Sequence, residues 1–235
     1  MNQNMLWGVD WYPEQWDQSR WEQDVQRMVA QGFTAVRIME FAWPLLEPEP
    51  GAYDFSLFDQ VFELLDRHGL SAVIGTPTAI FPVWLAEKDP TIFAIHPAGF
   101  TRDFGCRRMG CMNAPTYQEA ARQRGQALVD HNGTHSAVIG WQVDNEIGHE
   151  GSDHCVCGHC RAAWSRWLEA TYQTIDELNR QWGTVFWGST YQRFEQVPLP
   201  RKQIGTGHNP ALLLDYDRFS SDTAVAWAQA QVEIL

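Results

Sequence analysis

The sequence predicts an α/β fold built on a parallel β-sheet, and two observations support that prediction. Four short apolar runs have the length and composition of buried strands, and each is followed by a helical connection. Because parallel neighbours need a crossover connection, strand–helix–strand repeats predict parallel pairing. With 235 residues and 44% apolar content, the chain is long enough to enclose a sizeable core.

The first strand–helix–strand repeat begins the chain. Residues Leu6 to Asp10 have strand character, and residues 19–32 form an amphipathic helical segment that Gly32 ends. The run FTAVRIM, residues 33–39, is the second predicted strand. The apolar positions that recur at helical spacing between the two strands are Trp21, Val25, Met28 and Val29.

The second repeat has stronger boundary signals. The segment DFSLFDQVFELLDRHG, residues 54–69, begins with Asp54, which can cap a helix, and closes with Gly69, which can end one. The run LSAVIGT, residues 70–76, is the third predicted strand. One face of the helix carries Phe55, Phe58, Phe62 and Leu65.

The third repeat is interrupted by a long segment, residues 77–114, in which prolines and glycines break every periodic pattern. Irregular segments of this length inside a compact domain are usually functional or disordered. Thr116 to His131 is the next predicted helix, and Ala137 to Val143 is a near-continuously apolar fourth strand.

The remaining sequence is predicted to be helical or irregular. Residues 161–182 form helix in two pieces, residues 183–208 are irregular, and residues 211–235 form a last helix. A chain of this length could hold a single domain or two small ones.

Charge and composition exclude several classes of partner. The net charge of −12 and the pI near 5.0 disfavour nucleic acid and anionic membranes, so we expect an uncharged or cationic small-molecule substrate. No apolar run approaches the roughly 20 residues of a spanning helix. The N-terminal sequence lacks the charged-then-apolar pattern of a secretory signal, and we therefore expect a cytoplasmic protein.

The cysteine pattern indicates a metal more than a disulfide. Three of the five cysteines lie in the run Cys155-Val-Cys157-Gly-His-Cys160, and closely spaced thiols without a cation would be prone to oxidation. A tetrahedral zinc needs a fourth ligand. Four residues are candidates for it: His154, His159, Cys106 and Cys111.

Polar side chains follow each predicted strand, and parallel strands bring their carboxyl ends to one edge of a sheet. We therefore expect these residues to converge. The polar and aromatic residues after the four strands are Asp10, Trp11 and Tyr12; Arg37 and Glu40; Thr76 and Thr78; and Asp144, Asn145 and Glu146.

Glu146 is the candidate general acid. It follows a strand expected to bury Val138, Ile139 and Trp141, and a half-buried carboxyl favours its protonated form. Beside it, Asn145 could orient a substrate hydroxyl. The alternative is that these residues only cap the strand and bind a neighbouring loop.

Weaker candidates flank these motifs. The aromatic residues Trp11, Tyr12 and Trp43 could stack on a sugar face or fill the core. We expect Glu150 to be solvated in a loop after the Asp-Asn-Glu sequence. Arg107 is expected to have hydroxyl and carboxylate partners in so acidic a chain.

Four ordered motifs resemble the family 42 glycoside hydrolases, the β-galactosidases. They are GVDWYPEQW, VRIMEFAWPLLEPEPGAYDF at residues 36–55, RRMGCMNAP at 107–115 and WQVDNEIG at 141–148. The resemblance covers essentially the whole chain, and it implies that residues 1–235 are the N-terminal portion of the family's catalytic domain. It departs at Met109-Gly110, where many family members have His-Tyr.

The resemblance implies a (β/α)8 TIM barrel and a retaining hydrolysis of terminal β-galactosides. By the same resemblance, Glu146 is the acid/base residue, and the galactosyl group is bound by Arg37, Glu40, Arg107 and Asn145. The family also pairs the three-cysteine run with Cys111. The implied structural zinc site is therefore Cys111, Cys155, Cys157 and Cys160, closed by four ligands and without a catalytic position.

The resemblance also implies what these 235 residues lack. The nucleophilic glutamate of the family follows the seventh strand, and only four strands are predicted here. We therefore expect the first half of a barrel plus a zinc-binding loop, with the nucleophile beyond residue 235. The complete protein is implied to be a homotrimer. A non-catalytic carbohydrate-binding module, or another retaining barrel enzyme such as a β-glucosidase or a mannanase, stays open as an alternative.

Overall fold

The computed structural model describes residues 6–205 and 207–235. The chain groups into two compact units. Unit 1 contains Met1–Glu87, Ala120–Glu146 and Ala228–Leu235, and unit 2 contains Lys88–Glu119 and Ile147–Trp227.

A four-stranded parallel sheet lies in unit 1, with its strands in the order of the sequence. The parallel sheet predicted from the apolar runs is therefore confirmed, although each strand is shorter than the run that predicted it. The strands are β1 (Gly8–Asp10), β2 (Ala35–Ile38), β3 (Ser71–Gly75) and β4 (Val138–Gln142).

Helices connect the strands and also occur in unit 2. Within the part of the chain that the structure describes, they are α1 (Trp21–Ala30), α2 (Trp43–Leu46), α3 (Ser56–His68), α4 (Val83–Lys88), α5 (Pro115–Asn132), α6 (Gly158–Tyr172), α7 (Ile175–Trp182) and α8 (Pro210–Val232).

The segment predicted to be irregular, residues 77–114, is partly ordered. It contains α4 and a 3-10 turn at Pro90–Ile92, and single antiparallel bridges pair Phe93 with Gly110 and Ile95 with Thr101. Helix α4 is only six residues long, so its sequence holds too few turns for periodicity to reveal it.

Helix α3 illustrates how the local sequence sets an element. Asp54 Oδ1 accepts a hydrogen bond from the Ser56 backbone N–H at 2.9 Å, and Gly69 takes a left-handed conformation with φ of 68° at the C-terminal end. Gly69 ends the helix as predicted, whereas Asp54 lies one residue before the N-cap residue, Phe55, and is not itself the cap. The predicted apolar face packs into the core through Phe58, Phe62 and Leu65.

The core of unit 1 lies where α1 and α3 pack against the sheet. Val25, Val36 and Ile74 are fully or almost fully buried in it, together with the apolar face of α3. Truncating one of its large side chains would cost about 2–5 kcal/mol of folding free energy. Val29, expected on the buried face of α1, is instead 41% exposed.

The two outer strands are less buried than the two inner ones. β2 and β3 are mostly buried, whereas Ile139 in β4 is 44% exposed. The prediction that β4 buries Ile139 was therefore wrong for this chain. The cause is position, because β4 is the last strand of the sheet among the described residues and has one neighbour only.

Unit 2 has its own aromatic core. Trp164 of α6 is fully buried and makes ring contacts with Trp182, Tyr216 and Phe219. The buried carboxylate of Asp215 accepts hydrogen bonds from Trp182 Nε1 at 2.9 Å and from the Tyr172 hydroxyl. The predicted two-piece helix at residues 161–182 is confirmed by α6 and α7.

Among the described residues, no helix combines the length and the apolar character that a membrane crossing requires.

Candidate functional site

The carboxyl ends of β1 and β2 meet in a network of charged and polar groups. The Arg37 guanidinium lies 2.8 Å from Asp10 Oδ2 and 2.9 Å from Glu40 Oε1. The hydroxyl of Tyr12 donates a hydrogen bond to the same Glu40 oxygen at 2.7 Å. The predicted convergence of these four residues is confirmed.

Glu40 is the most constrained member of this network. Its side chain is fully buried, and the preceding residue, Met39, has a positive φ of 79°. A Cβ atom at Gly75 would lie 2.6 Å from the Glu40 Cβ, so the absence of a side chain at Gly75 is what lets the two segments approach. The backbone thus holds the Glu40 carboxylate at one place at the sheet edge.

The two oxygens of Glu40 differ. Oε1 accepts from Tyr12 and Arg37, whereas Oε2 is buried and has no hydrogen-bond partner among the described residues. A buried carboxylate oxygen without a partner is costly, so a hydrogen-bond donor brought to it would stabilise the network.

The pKa values of two groups near this buried carboxylate are raised. Desolvation, followed by the hydrogen bond to Glu40, raises the pKa of Tyr12 to about 12, so the phenol stays protonated as a donor. Burial, with a smaller contribution from the Glu40 charge, also raises the pKa of Glu14. The network at the ends of β1 and β2 therefore has more carboxylates than cations to balance them.

The end of β4 carries the Asp-Asn-Glu sequence in a strained turn. Asp144 and Asn145 are buried, and both Asp144 and Glu146 have positive φ values, of 57° and 50°. The Asp144 N–H donates to Thr76 Oγ1 at 2.6 Å, and Asn145 Oδ1 accepts from Gln142 Nε2 at 3.1 Å. The predicted approach of Thr76 to this turn is thus confirmed.

Glu146 itself is exposed. The expectation of a half-buried rim position was therefore wrong for the described chain. That expectation came from the apolar run before Glu146, but β4 is an outer strand and its flank is open to solvent.

Arg107 lies in unit 2, where its guanidinium is 3.4 Å from Glu150 Oε1. Arg102 also contacts Glu150, with 3.8 Å between Nη1 and Oε2. Glu150 is exposed, as expected, and it also pairs with these two arginines, which was not expected. The sequence gives no local signal of this pairing, since Glu150 lies 43 residues after Arg107 and 48 residues after Arg102.

Two of the three aromatic candidates are core residues. Trp11 and Trp43 are 4% and 0% exposed, and the Trp43 indole donates to Glu47 Oε2 at 2.8 Å. Tyr12 is only half-buried and contacts Glu40. Of the three, Tyr12 therefore belongs to the polar network.

Unit 2 contains the predicted thiol cluster. The Sγ atoms of its four cysteines all lie within 4.8 Å of one another, and all four residues are buried. Cys111 is 3.4 Å from Cys160 and 3.4 Å from Cys157. The members of this cluster are Cys111, Cys155, Cys157 and Cys160.

The cluster fits a tetrahedral zinc ion. A Zn–S distance of about 2.3 Å in a tetrahedron places the sulfurs roughly 3.8 Å apart, which matches the observed spacing. Hydrogen bonds with Cys111, Cys155 and Cys160 lower the pKa of Cys157, whereas hydrogen bonds with Cys155, Cys157 and Cys160 raise the pKa of Cys111. Without a cation, the cluster thus favours the thiolate at Cys157 and the thiol at Cys111. With four sulfur donors and no open position, such a site has a structural and not a catalytic character.

The surroundings of the cluster orient its sulfurs. The Ile95 N–H donates to Cys155 Sγ at 3.4 Å, and Asn113 Nδ2 donates to Cys160 Sγ at the same distance. The Tyr216 hydroxyl donates to the Cys155 carbonyl oxygen at 2.9 Å. These contacts fix the ligand geometry from outside.

The other three candidates for the fourth ligand have different positions. Cys106 is exposed, and its sulfur donates to the Asp103 carbonyl oxygen at 3.2 Å. The His154 ring is 3.1 Å from Asp217, and the His159 ring is 2.9 Å from Thr91 Oγ1. The structure therefore brings Cys111 to the run of three cysteines, in agreement with the family resemblance.

Comparison with known proteins gives one consistent result. The sequence model of glycoside hydrolase family 42, described as β-galactosidase, matches residues 10–235. A β-galactosidase of Thermus thermophilus is 45% identical over 228 residues, which are 97% of this chain and 35% of that protein. A β-galactosidase of Haloferax lucentense is 37% identical over 231 residues, 98% of this chain and 35% of that protein.

Solved structures agree with the sequences. The β-galactosidase from the psychrophilic Marinomonas ef1 is similar with a TM-score of 0.94 and 38% identity, over 98% of this chain and 35% of that one. The enzyme from the Antarctic haloarchaeon Halorubrum lacusprofundi has a TM-score of 0.93 and 38% identity, over 98% and 34% of the two chains. The chain thus spans about a third of the length of the relatives that it matches.

Proposed function

The chain belongs to glycoside hydrolase family 42, the β-galactosidases, and we propose from this that the protein containing it hydrolyses terminal non-reducing β-D-galactose residues of β-galactosides. Its parallel sheet is the first half of a (β/α)8 barrel. The catalytic groups of such barrels lie at the carboxyl ends of the strands.

One observation carries the proposal: the buried carboxylate of Glu40 fixes the partly exposed Arg37 at the carboxyl end of the same sheet whose fourth strand ends in Asn145-Glu146. Arg37, held by Asp10 and Glu40, can donate to a sugar hydroxyl, and Glu40 is assigned to the galactosyl group by the family resemblance. Asn145 supplies an amide beside Glu146. Arg107 is assigned to the galactosyl group by the family resemblance alone.

The proposed reaction is a double displacement with Glu146 as the acid/base residue. In the first step, a second carboxylate attacks C1 of galactose, and the Glu146 carboxyl gives its proton to the glycosidic oxygen, which leaves as an alcohol. In the second step, the Glu146 carboxylate takes a proton from water as the water attacks C1, and the nucleophile leaves as a carboxylate. We assign the nucleophile to sequence outside these 235 residues.

The test uses the full coding sequence and an aryl β-galactoside. Glu146→Gln should abolish turnover, because the amide cannot give up a proton, and azide should partly restore turnover in Glu146→Ala by replacing the water in the second step. Glu87→Gln, which alters an exposed glutamate of α4, should leave turnover unchanged. Unaltered turnover by Glu146→Gln would exclude the assignment.

The same experiment separates the alternative functions. A carbohydrate-binding module would bind galactosides without hydrolysing them in any form of the protein. A β-glucosidase or a mannanase would hydrolyse its own glycosides faster than the matched galactosides.

We propose further that the four-cysteine cluster holds one structural Zn²⁺ per chain. The spacing of the sulfurs and their burial support the metal, and the all-sulfur donor set supports zinc. Elemental analysis of the purified protein should find about one zinc per chain. A metal-free protein of equal thermal stability would contradict the assignment.

The location and assembly of the protein are proposed on narrower grounds. Four reduced thiols in one cluster suit the cytoplasm, where glutathione keeps thiols reduced. The homotrimer is proposed from the family resemblance. Light scattering of the purified protein would give the mass of the assembly, and a monomeric mass would exclude the trimer.

A further inference from the structure

A chain of three buried side chains in unit 1 ends at the turn that carries Glu146. Gln231 of α8 accepts hydrogen bonds at Oε1 from Thr76 Oγ1 at 2.7 Å and from Thr78 Oγ1 at 2.8 Å. Thr76 Oγ1 in turn accepts the Asp144 N–H at 2.6 Å. All four residues are at most 6% exposed.

The direction of each hydrogen bond in this chain is set by chemistry. A carbonyl oxygen such as Gln231 Oε1 can only accept, so the Thr76 hydroxyl must direct its single hydrogen toward it. That leaves the lone pairs of Thr76 Oγ1 to receive the Asp144 amide. Gln231 thereby orients Thr76 as an acceptor, and Thr76 orients the peptide that begins the Asp-Asn-Glu turn.

The turn needs such support, because its backbone is strained. Asp144 and Glu146 both occupy the left-handed region, which non-glycine residues rarely adopt unless the surrounding structure holds them there. Asp144 Oδ1 also accepts the Asn145 N–H, so the buried Asp144 side chain braces the same turn. The conformation at residues 144–146 decides where the Glu146 carboxyl points.

We propose that Thr76 and Gln231 are positioning residues for the acid/base carboxyl, acting through the Asp144 backbone amide. This inference rests on the proposed role of Glu146. Helix α8 contributes Gln231 from a position 85 residues after Glu146, and it thereby participates in the chemistry without contacting the substrate.

The chain offers a matched pair of variants. Thr76→Val removes the acceptor of the Asp144 amide at almost constant volume. Thr78→Val removes the other hydroxyl that donates to Gln231 but keeps Thr76 Oγ1 as the acceptor of the Asp144 amide. Thr76→Ser keeps the hydroxyl and should restore the function that Val removes.

The first measurement needs no substrate. In hydrogen exchange on the full-length protein, read at single residues by mass spectrometry, Thr76→Val should lower the protection of the Asp144 amide by about tenfold or more. Thr78→Val and Thr76→Ser should retain that protection. Equal protection in Thr76→Val and the wild type would overturn the proposed contact.

The second measurement distinguishes positioning of the acid from a general loss of structure. The phenol of phenyl β-galactoside is a poor leaving group that needs protonation, whereas the dinitrophenolate of dinitrophenyl β-galactoside leaves without a proton. Thr76→Val should lower kcat/KM by roughly 10- to 100-fold for the phenyl substrate and by much less for the dinitrophenyl one. Gln231→Met should show the same pattern, and Thr76→Ser should approach the wild type.

The outcomes separate this inference from the proposed function. If Glu146→Gln retains turnover, the role of Glu146 fails, and the hydrogen-exchange result still decides whether the contact exists. If Glu146→Gln is inactive, the acid/base role stands. If Thr76→Val then lowers kcat/KM equally for both substrates, or for neither, the positioning role of Thr76 and Gln231 is refuted.

Discussion

Replacing Gly75 by alanine should destabilise unit 1 through a single steric contact. A Cβ at Gly75 would lie 2.6 Å from the Glu40 Cβ, 2.9 Å from its Cα and 3.1 Å from its backbone N. Carbon atoms in contact prefer separations of about 3.5–4.0 Å. The alanine methyl therefore requires that β3 and the Glu40 backbone separate by roughly 1 Å, and backbone atoms cannot rotate away as a flexible side chain could.

The magnitude follows from two opposing effects. Overpacking of a well-packed site costs about 1–3 kcal/mol, and displacing Glu40 also weakens the hydrogen bonds that Oε1 receives from Tyr12 and Arg37. In the opposite direction, replacing a glycine by alanine in a strand interior stabilises the fold by roughly 0.5–1 kcal/mol. We expect Gly75→Ala to lower the free energy of unfolding by about 1–3 kcal/mol.

Urea denaturation followed by fluorescence measures this change. With a slope near 2 kcal/mol/M, the midpoint should fall by roughly 0.5–1.5 M at constant slope. Gly140→Ala is the matched control, because Gly140 lies in the neighbouring strand and a Cβ there meets nothing within 4 Å. A Gly75→Ala protein as stable as the Gly140→Ala protein would refute the steric argument.

Three further predictions follow from the described contacts. Cys111→Ser should release the proposed zinc and lower the melting temperature, whereas Cys106→Ser should do neither. Elemental analysis would measure the zinc content, and calorimetry would measure the melting temperature. Zinc retained by Cys111→Ser would contradict the ligand set. Glu14→Gln should stabilise the protein at pH 7, because burial raises the pKa of Glu14 above its unfolded value. The protonated Glu14 side chain stabilises the fold below about pH 4.5, and this stability is lost as the pH rises through the raised folded pKa. Denaturation from pH 4 to 7 should therefore show a flatter pH dependence in the variant, and an unchanged dependence would contradict the assignment. Asp215→Ala should cost about 3–5 kcal/mol, because it leaves buried donors unpaired, whereas Asp222→Ala, at an exposed site, should cost less than about 1 kcal/mol in the same assay.

Elements with several turns or strong caps could be predicted from the sequence. Helix α3 ends at the predicted glycine, Gly69, and begins two residues after Asp54, the predicted cap residue, with Phe55 at the N-cap position. Short α4 was missed, because six residues provide less than two turns of pattern. The parallel sheet could be predicted because its order repeats the order of the chain.

The candidate site could be predicted only in part, for a physical reason. Residues directly after strands, such as Arg37 and Glu40, converge by the geometry of a parallel sheet. Burial of Glu146 depends on what lies beside an outer strand, which the local sequence does not encode. Gln231 was not singled out, because a lone glutamine in a long helix has no local signal that it reaches Thr76, 155 residues earlier.

The thiol cluster draws its sulfurs from two segments, and this has a consequence during synthesis. The ribosome completes Cys111 about 50 residues before Cys160, a delay of roughly 2–10 s at about 5–20 residues per second. Until Cys155 is added 44 residues later, the nascent chain carries Cys111 without any other member of the cluster, and Cys106 is the one other thiol already made. Overproduction in a zinc-starved or oxidising host should therefore yield mixed disulfides at this position, and metal supplied after translation should recover less folded protein than metal present while the chain is made.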